Sequence, residues 1–119
     1  YNQQNMNIKD IGIDVESIDR FRKMPYKKHK SFYDKIFTEK ELSYCLAKKD
    51  PYPHFAARFA AKEAAAKAIG KSVYHAKSIE IVNRKDGKPE LKLKDVKGRA
   101  LVSLTHSGEY AAAIVLWQN

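Results

Sequence analysis

Asp14 and Glu16 stand two residues apart in Gly12-Ile13-Asp14-Val15-Glu16. If this stretch is extended, both carboxylates project from one face of a strand. Paired oxygen donors at a strand end suit a hard divalent cation such as Mg²⁺, although exposed strand caps use the same residues. A third carboxylate, Glu63, lies in Arg58-Phe59-Ala60-Ala61-Lys62-Glu63-Ala64-Ala65-Ala66-Lys67, where each charged residue interrupts small apolar ones. Arg58 and Lys62 are like charges at i,i+4, unfavourable on a helix unless an anion sits between them, and Glu63 and Lys67 are opposite charges at the same spacing. One reading is a weak surface ion pair. The other is a cation ligand flanked by phosphate clamps on one rigid helix. His106 closes Ser103-Leu104-Thr105-His106-Ser107-Gly108, which sets an imidazole beside hydroxyls and turn amides, all donors for a phosphate. Gly12 inside a strand marks either a bulge or the close approach of another backbone or a ligand.

The elements that must position these residues are legible in outline. Alternation from Ile11 puts Ile11, Ile13 and Val15 on one strand face and Gly12, Asp14 and Glu16 on the other. Ser17 can cap a short basic helix to about Lys23, stopped by Pro25. A second short helix is expected over His29 to Ile36. Thr38-Glu39-Lys40-Glu41 has the form of a capping box and should start a helix that ends before Pro51. The strongest helix signal runs from His54 to Ile69, with eight alanines, no β-branched residue before Ile69 and Gly70 as a stop. Its thin face lets another element come close. Strands are expected at Ser78 to Val82, Glu90 to Leu93, Leu101 to Thr105 and Tyr110 to Leu116, with turns at Lys85-Asp86-Gly87-Lys88 and Ser107-Gly108. The expected class is α+β, with short helices and one long Ala-rich helix packed on an antiparallel sheet.

The chain has 119 residues, 44% of them hydrophobic, so one compact domain fits and two do not. Met6 reads as the native start, residues 1–5 as an extraneous or disordered start, and residues 6–119 as one domain. Cys45 is the only cysteine, which excludes an internal disulfide and Cys-rich zinc sites and suits a cytoplasmic setting. No apolar run is long enough to span a bilayer. His29, His54 and His75 show no ligand spacing and receive no role, nor does Cys45. A P-loop, a GxGxxG fingerprint and a Ser-His-Asp pattern are absent.

The net charge of +9 calls for an anionic partner. It is concentrated between Arg20 and Lys40, where eight basic residues face only Asp34 and Glu39, a local charge of +6. A solvated helix face accounts for such a run. An interface accounts for it equally, because Phe21, Met24, Tyr26, Phe32 and Tyr33 interleave apolar groups among the charges. A small basic nucleic-acid-binding domain without catalysis is the alternative class, though no recognised RNA or DNA motif is present.

The segments Gly12-Ile13-Asp14, Ile18-Asp19-Arg20-Phe21, Phe37-Thr38-x-x-Glu41-Leu42, Arg58-Phe59-Ala60-Ala61-Lys62-Glu63-Ala64-x-x-Lys67-Ala68, Gly87-Lys88-Pro89 and Val102-Ser103-Leu104-Thr105-His106 together resemble the holo-(acyl carrier protein) synthases of the phosphopantetheinyl transferase superfamily. The resemblance spans nearly everything from Lys9 to Trp117, and the Arg-Phe-Ala-Ala-Lys-Glu-Ala block is its specific part. It implies the phosphopantetheinyl transferase fold and Mg²⁺-dependent transfer of phosphopantetheine from coenzyme A to a serine of apo acyl carrier protein, releasing adenosine bisphosphate. Asp14 and Glu63 would take the metal positions, with Glu16 a possible further ligand. Arg58, Lys62, Lys67 and His106 would lie around the coenzyme A phosphates, with Glu63 and Lys67 acting in catalysis. The family is typically a homotrimer with active sites between subunits. The basic segment then acquires an acidic carrier protein as its partner, docked by Arg20, Phe21, Arg22, Lys23, Met24, Lys27 and Lys28. Two departures stand out. Asp14-x-Glu16 resembles the metal pair of the larger, two-lobed transferases, and Gly70-Lys71-Ser72 stands where the synthases often have Gly-Thr-Gly.

Overall fold

The computed structural model describes residues 7–70 and 75–118. The expected start at residues 1–5 and most of Gly70-Lys71-Ser72 lie outside them. The element order is β1 (Ile8–Ser17), α1 (Ile18–Arg22), a 3₁₀ turn (Tyr26–Lys28), α2 (Lys30–Ile36), α3 (Glu39–Leu46), α4 (Tyr52–Ile69), a second 3₁₀ turn (Ala76–Ser78), β2 (Ile79–Asn83), β3 (Pro89–Leu93), β4 (Arg99–Ser107) and β5 (Tyr110–Gln118). The caps form as the sequence dictates. The Ser17 hydroxyl accepts from the Arg20 amide, and Thr38 and Glu41 satisfy each other's backbone amides in a complete capping box.

β1, β5 and β4 form one antiparallel sheet in that order, and β2 pairs with β3 in a separate hairpin. The long helix α4 lies across the three-stranded sheet. Gly12 explains how closely: a Cβ built there would stand 1.9 Å from the Ala64 carbonyl oxygen and 3.0 Å from the Ala68 amide nitrogen. The alanine face of α4 and the missing side chain of Gly12 are two halves of one backbone-to-backbone contact.

The core divides in two. Ala60, Ala61, Ala64, Ala65 and Ala68 pack with Ile79, Ile81, Leu91, Val102, Val115 and Trp117. Nearer the start of α4, an aromatic cluster joins Phe21, Tyr33, Phe37, Phe55 and Phe59. Edge and tilted ring contacts hold it, such as Tyr33 to Phe55 at 4.7 Å and Phe21 to Phe59 at 5.7 Å.

The strand alternation has an inverted sense. The side of β1 that faces α4 is the Gly12, Asp14 and Glu16 side, whereas Ile11, Ile13 and Val15 are 54%, 60% and 57% exposed. Leu101 and Ile114 continue that outward apolar face at 44% and 37% exposure. An ordinary amphipathic strand would do the reverse, so carboxylates pointing inward require a reason.

Candidate active site

That reason begins at the end of β1. Asp14 and Glu16 project toward α4 beside Glu63, and their charges act on one another. Burial pushes the Glu16 carboxyl up to about 7, aided by a hydrogen bond to Asp14 and by the charges of Asp14 and Glu63, while Arg20 opposes the rise. Arg20 makes its ion pair with Glu16 at 3.2 Å. The Asp14 Oδ2 is buried without a hydrogen-bond partner. Lys67 does not stay on its own helix: its Nζ donates to the Ile13 carbonyl at 2.9 Å and reaches Asp14 Oδ1 at 3.3 Å. The structure therefore brings Asp14, Glu16, Glu63 and Lys67 into one place. Among the described residues no three such side chains are already gathered to ligate a metal ion. What they present is a set of carboxylate oxygens in which Asp14 Oδ2 is buried without a hydrogen-bond partner and the Glu16 carboxyl is pushed up to about 7. Such a set fits a hard divalent cation.

The other charged stripe of α4 faces away from this cluster. Lys62, expected as a phosphate clamp, is 1% exposed. Its ammonium pairs with Glu41 at 2.9 Å, donates to the Ala76 carbonyl at 2.8 Å and donates to the Ile79 carbonyl. All three protons are used, so Lys62 is not available to coenzyme A. The anion that relieves the Arg58 and Lys62 repulsion is the Glu41 carboxylate, which also accepts from the Thr38 and Ile81 amides at 2.9 and 2.8 Å. Burial holds the Lys62 ammonium below its ordinary pKa, against the attraction of Glu41.

Arg58 turns instead toward α3 and the end of β2. Its guanidinium lies 4.1 Å from the Tyr44 ring, Nη2 donates to Asn83 Oδ1 at 2.8 Å, and Nε is buried without a partner. His106 stands on this flank, with its ring 5.6 Å from that of His54. His54, to which the sequence pattern gives no role, joins this flank. Its position four residues before Arg58 was the one available signal, and His106 is too distant in sequence to have supplied another.

The register relates the two flanks. Glu16 on β1 and His106 on β4 both pair with Ala111 on β5, so they occupy one row across the sheet. Two strand spacings separate them, roughly 10 Å. A recess of about 630 Å³ lies elsewhere, between β3 and β4, and is lined by none of these groups.

The expected docking surface is corrected in part. Phe21 is 1% exposed, inside the aromatic core, and Tyr33 is fully buried. Neither can meet a partner, because both rings are packed inside the aromatic cluster. Arg20, Arg22, Lys23, Lys27 and Lys28 remain exposed, with Met24 half-buried beside them. Arg22 is anchored by a two-pronged contact to Asp50 at 3.0 and 2.6 Å, and Lys23 pairs with Asp19 at 3.1 Å.

A sequence profile of the 4'-phosphopantetheinyl transferase superfamily matches residues 10–115. The chain belongs to that superfamily and is an enzyme of the phosphopantetheinyl transferase class. Within it, the chain is 39% identical over 110 residues to the holo-[acyl-carrier-protein] synthase of Thermodesulfovibrio yellowstonii, covering 92% of this chain and 97% of that one. The crystal structure of the Bacillus anthracis holo-(acyl-carrier-protein) synthase in complex with CoA (3',5'-ADP) superposes with a TM-score of 0.80 at 35% identity, covering 93% of this chain and 96% of that one. The Neisseria meningitidis synthase gives 0.82 at 28% identity, covering 94% and 99%. The α+β fold is thus that of these enzymes.

Proposed function

We propose that this chain is a holo-(acyl carrier protein) synthase, and that residues 6–119 form its one catalytic domain. It transfers phosphopantetheine from coenzyme A to a serine of apo acyl carrier protein. The observation that carries the reading is the inward carboxylate cluster of Asp14, Glu16 and Glu63, with the buried unpartnered Asp14 Oδ2 and Lys67 beside it. Asp14 and Glu63 would hold Mg²⁺, with Glu16 as a third or water-mediated ligand. When bound, the ion supplies positive charge against the coenzyme A diphosphate and its leaving phosphate.

The chain's own residues do the rest. The serine oxygen forms a bond to the phosphorus that carries pantetheine, and the bridging P–O bond breaks to release adenosine 3',5'-bisphosphate. Glu63 accepts the serine proton. The Lys67 ammonium, 58% exposed at its side chain, can turn from Asp14 toward the departing phosphate oxygen. Arg58 and His106 serve the phosphates on the other flank.

The exposed Arg20, Arg22, Lys23, Lys27 and Lys28, with Met24, dock the acidic carrier protein by charge complementarity, and nucleic acid is not assigned as a partner. The outward apolar face of Ile11, Ile13, Val15, Leu101 and Ile114 supports assembly as a homotrimer, since such a patch is seldom left in water. The buried, unpaired Cys45 suits the cytoplasm. Among the described residues no helix is long and apolar enough to cross a membrane.

Incubation with apo acyl carrier protein, coenzyme A and Mg²⁺ should add one phosphopantetheine mass to the carrier protein, and EDTA should abolish the addition. Failure to modify any apo carrier protein would overturn the reading.

A further inference from the structure

We propose that Arg20 is a positioning residue that couples the docking of an acidic protein to the carboxylate cluster: in the free chain Glu16 holds it, and a carboxylate of the docked partner draws it off, leaving Glu16 to the cation. The partner is the acidic carrier protein of the proposed reaction, so the inference rests on that reading.

The junction of β1 and α1 makes this exchange available. Ser17 caps α1 directly after the strand, so Glu16 on β1 and Arg20 on α1 meet across the cap at i,i+4. Ile18 and Phe21 are buried in the aromatic cluster and fix which side of α1 faces inward. Arg20 is left at the rim, its guanidinium 5.7 Å from the centre of the Phe59 ring on α4. There it stands between the cluster and the basic face that continues with Arg22 and Lys23.

Each of these three cations already has an acid. Arg22 grips Asp50 through two nitrogens at 3.0 and 2.6 Å, and Lys23 pairs with Asp19 at 3.1 Å. Neither acid belongs to the carboxylate cluster. Arg20 reaches Glu16 through one nitrogen at 3.2 Å, and Glu16 in turn interacts with Asp14 and Glu63. The Arg20 side chain is 56% exposed and that of Glu16 only 11%. The arginine can therefore swing to an incoming carboxylate while the glutamate stays in the cluster. A single-pronged pair facing solvent is weak and gives way readily, whereas a two-pronged contact such as that of Arg22 is the stronger kind.

With Arg20 in place, Glu16 is neutralised from outside and competes poorly for a cation. With Arg20 drawn onto the partner, the charge of Glu16 stands uncompensated beside Asp14 and Glu63, which raises the affinity of the cluster for Mg²⁺. The effect is reciprocal, because a cation that takes up Glu16 releases Arg20 for the partner.

The test is a double-mutant cycle on the binding of an apo acyl carrier protein to the full chain, by calorimetry near pH 8 with EDTA present. The parent, Glu16→Gln, Arg20→Gln and the double variant are compared. Glu16→Gln should tighten the carrier protein about threefold in the parent, the worth of one exposed ion pair, and leave it unchanged where Arg20 is already glutamine. Mg²⁺ in place of EDTA should tighten binding to the parent by a similar factor and leave Arg20→Gln unmoved. Equal tightening by Glu16→Gln in both backgrounds is general charge repulsion and would overturn the coupling, as would an equal effect of Mg²⁺ on the parent and Arg20→Gln. A carrier protein that binds with this coupling yet is never modified supports the exchange and sinks the functional reading. One that is modified while the cycle is additive sinks the exchange alone, and absence of any binding sinks both.

Discussion

Replacing Glu16 by Gln should stabilise the protein at high pH and leave it unchanged at low pH. The carboxyl rises from 4.5 to about 7 on folding, so the folded chain binds this proton more tightly than the unfolded chain. The stability contributed by the group is full below the unfolded value and is lost as pH rises through about 7. Above that, the fold must hold an ionised carboxylate beside Asp14 and Glu63. At 1.36 kcal/mol per pKa unit the shift sets a ceiling of about 3 kcal/mol. The Glu16 side chain is only 11% exposed, so solvent screening removes little of it. Glutamine keeps the shape and cannot ionise. Urea denaturation near pH 5 and near pH 8 measures the difference. The two proteins should coincide at the lower pH, and Glu16→Gln should be more stable at the higher. Mg²⁺ added near pH 8 should stabilise the parent more than the variant, because a cation offsets the repulsion that glutamine lacks. A difference between the two proteins that does not depend on pH would refute the carboxylate-cluster argument.

Four further outcomes follow from particular contacts. Gly12→Ala should cost about 3 kcal/mol or more, or prevent folding, because its Cβ meets the Ala64 carbonyl, which no rotamer change can move aside; thermal melting by circular dichroism reads this. Lys62→Met should cost about 3–5 kcal/mol by leaving Glu41 buried and unpaired, and Lys62→Met with Glu41→Leu should cost less than the two single changes together, as a double-mutant cycle in urea would measure. The Cys45 thiol, pushed by burial up to about 12, should resist iodoacetamide in the native protein and react on unfolding, as followed by intact mass. Ile13→Lys should shift the proposed trimer toward monomer in sedimentation velocity while leaving the monomer's thermal melting nearly unchanged, since Ile13 is 60% exposed.

What was legible in the sequence is local. The Ser17 cap, the Thr38 capping box, the Pro and Gly stops and the Ala-rich run each set an element boundary within a few residues, so the fold class followed. Gly12 was legible as a close approach, though not which backbone approached it. What failed depends on the partner of each face. The i,i+4 spacing places Arg58 and Lys62 on one side of α4 and is silent on what meets that side. The answer, Glu41, was already fully explained as a helix cap, and one carboxylate serves both the cap and the buried lysine. Phe21 failed in the same way. A basic run with aromatics between the charges looks the same whether the aromatics face a partner or the core, and here four other rings of the chain decide it.

The positive charge of α4 is divided between two flanks of the sheet. Lys67 lies with Glu63 on the β1 flank, Arg58 lies with His54 on the β4 flank, and Lys62 between them is consumed by Glu41. Had Lys62 been free, the helix would carry a continuous cationic stripe, able to bind any polyanion at any register. Its burial breaks the stripe into two clusters joined across the sheet by the Glu16, Ala111, His106 row. One cluster is rich in carboxylates and would accept a diphosphate only through a cation, as proposed above. The other is rich in imidazole and guanidinium. A carboxylate cluster suited to a cation and a cationic cluster suited to an anion, set on two flanks of one sheet, make a stricter demand on a ligand than the net charge of +9 does.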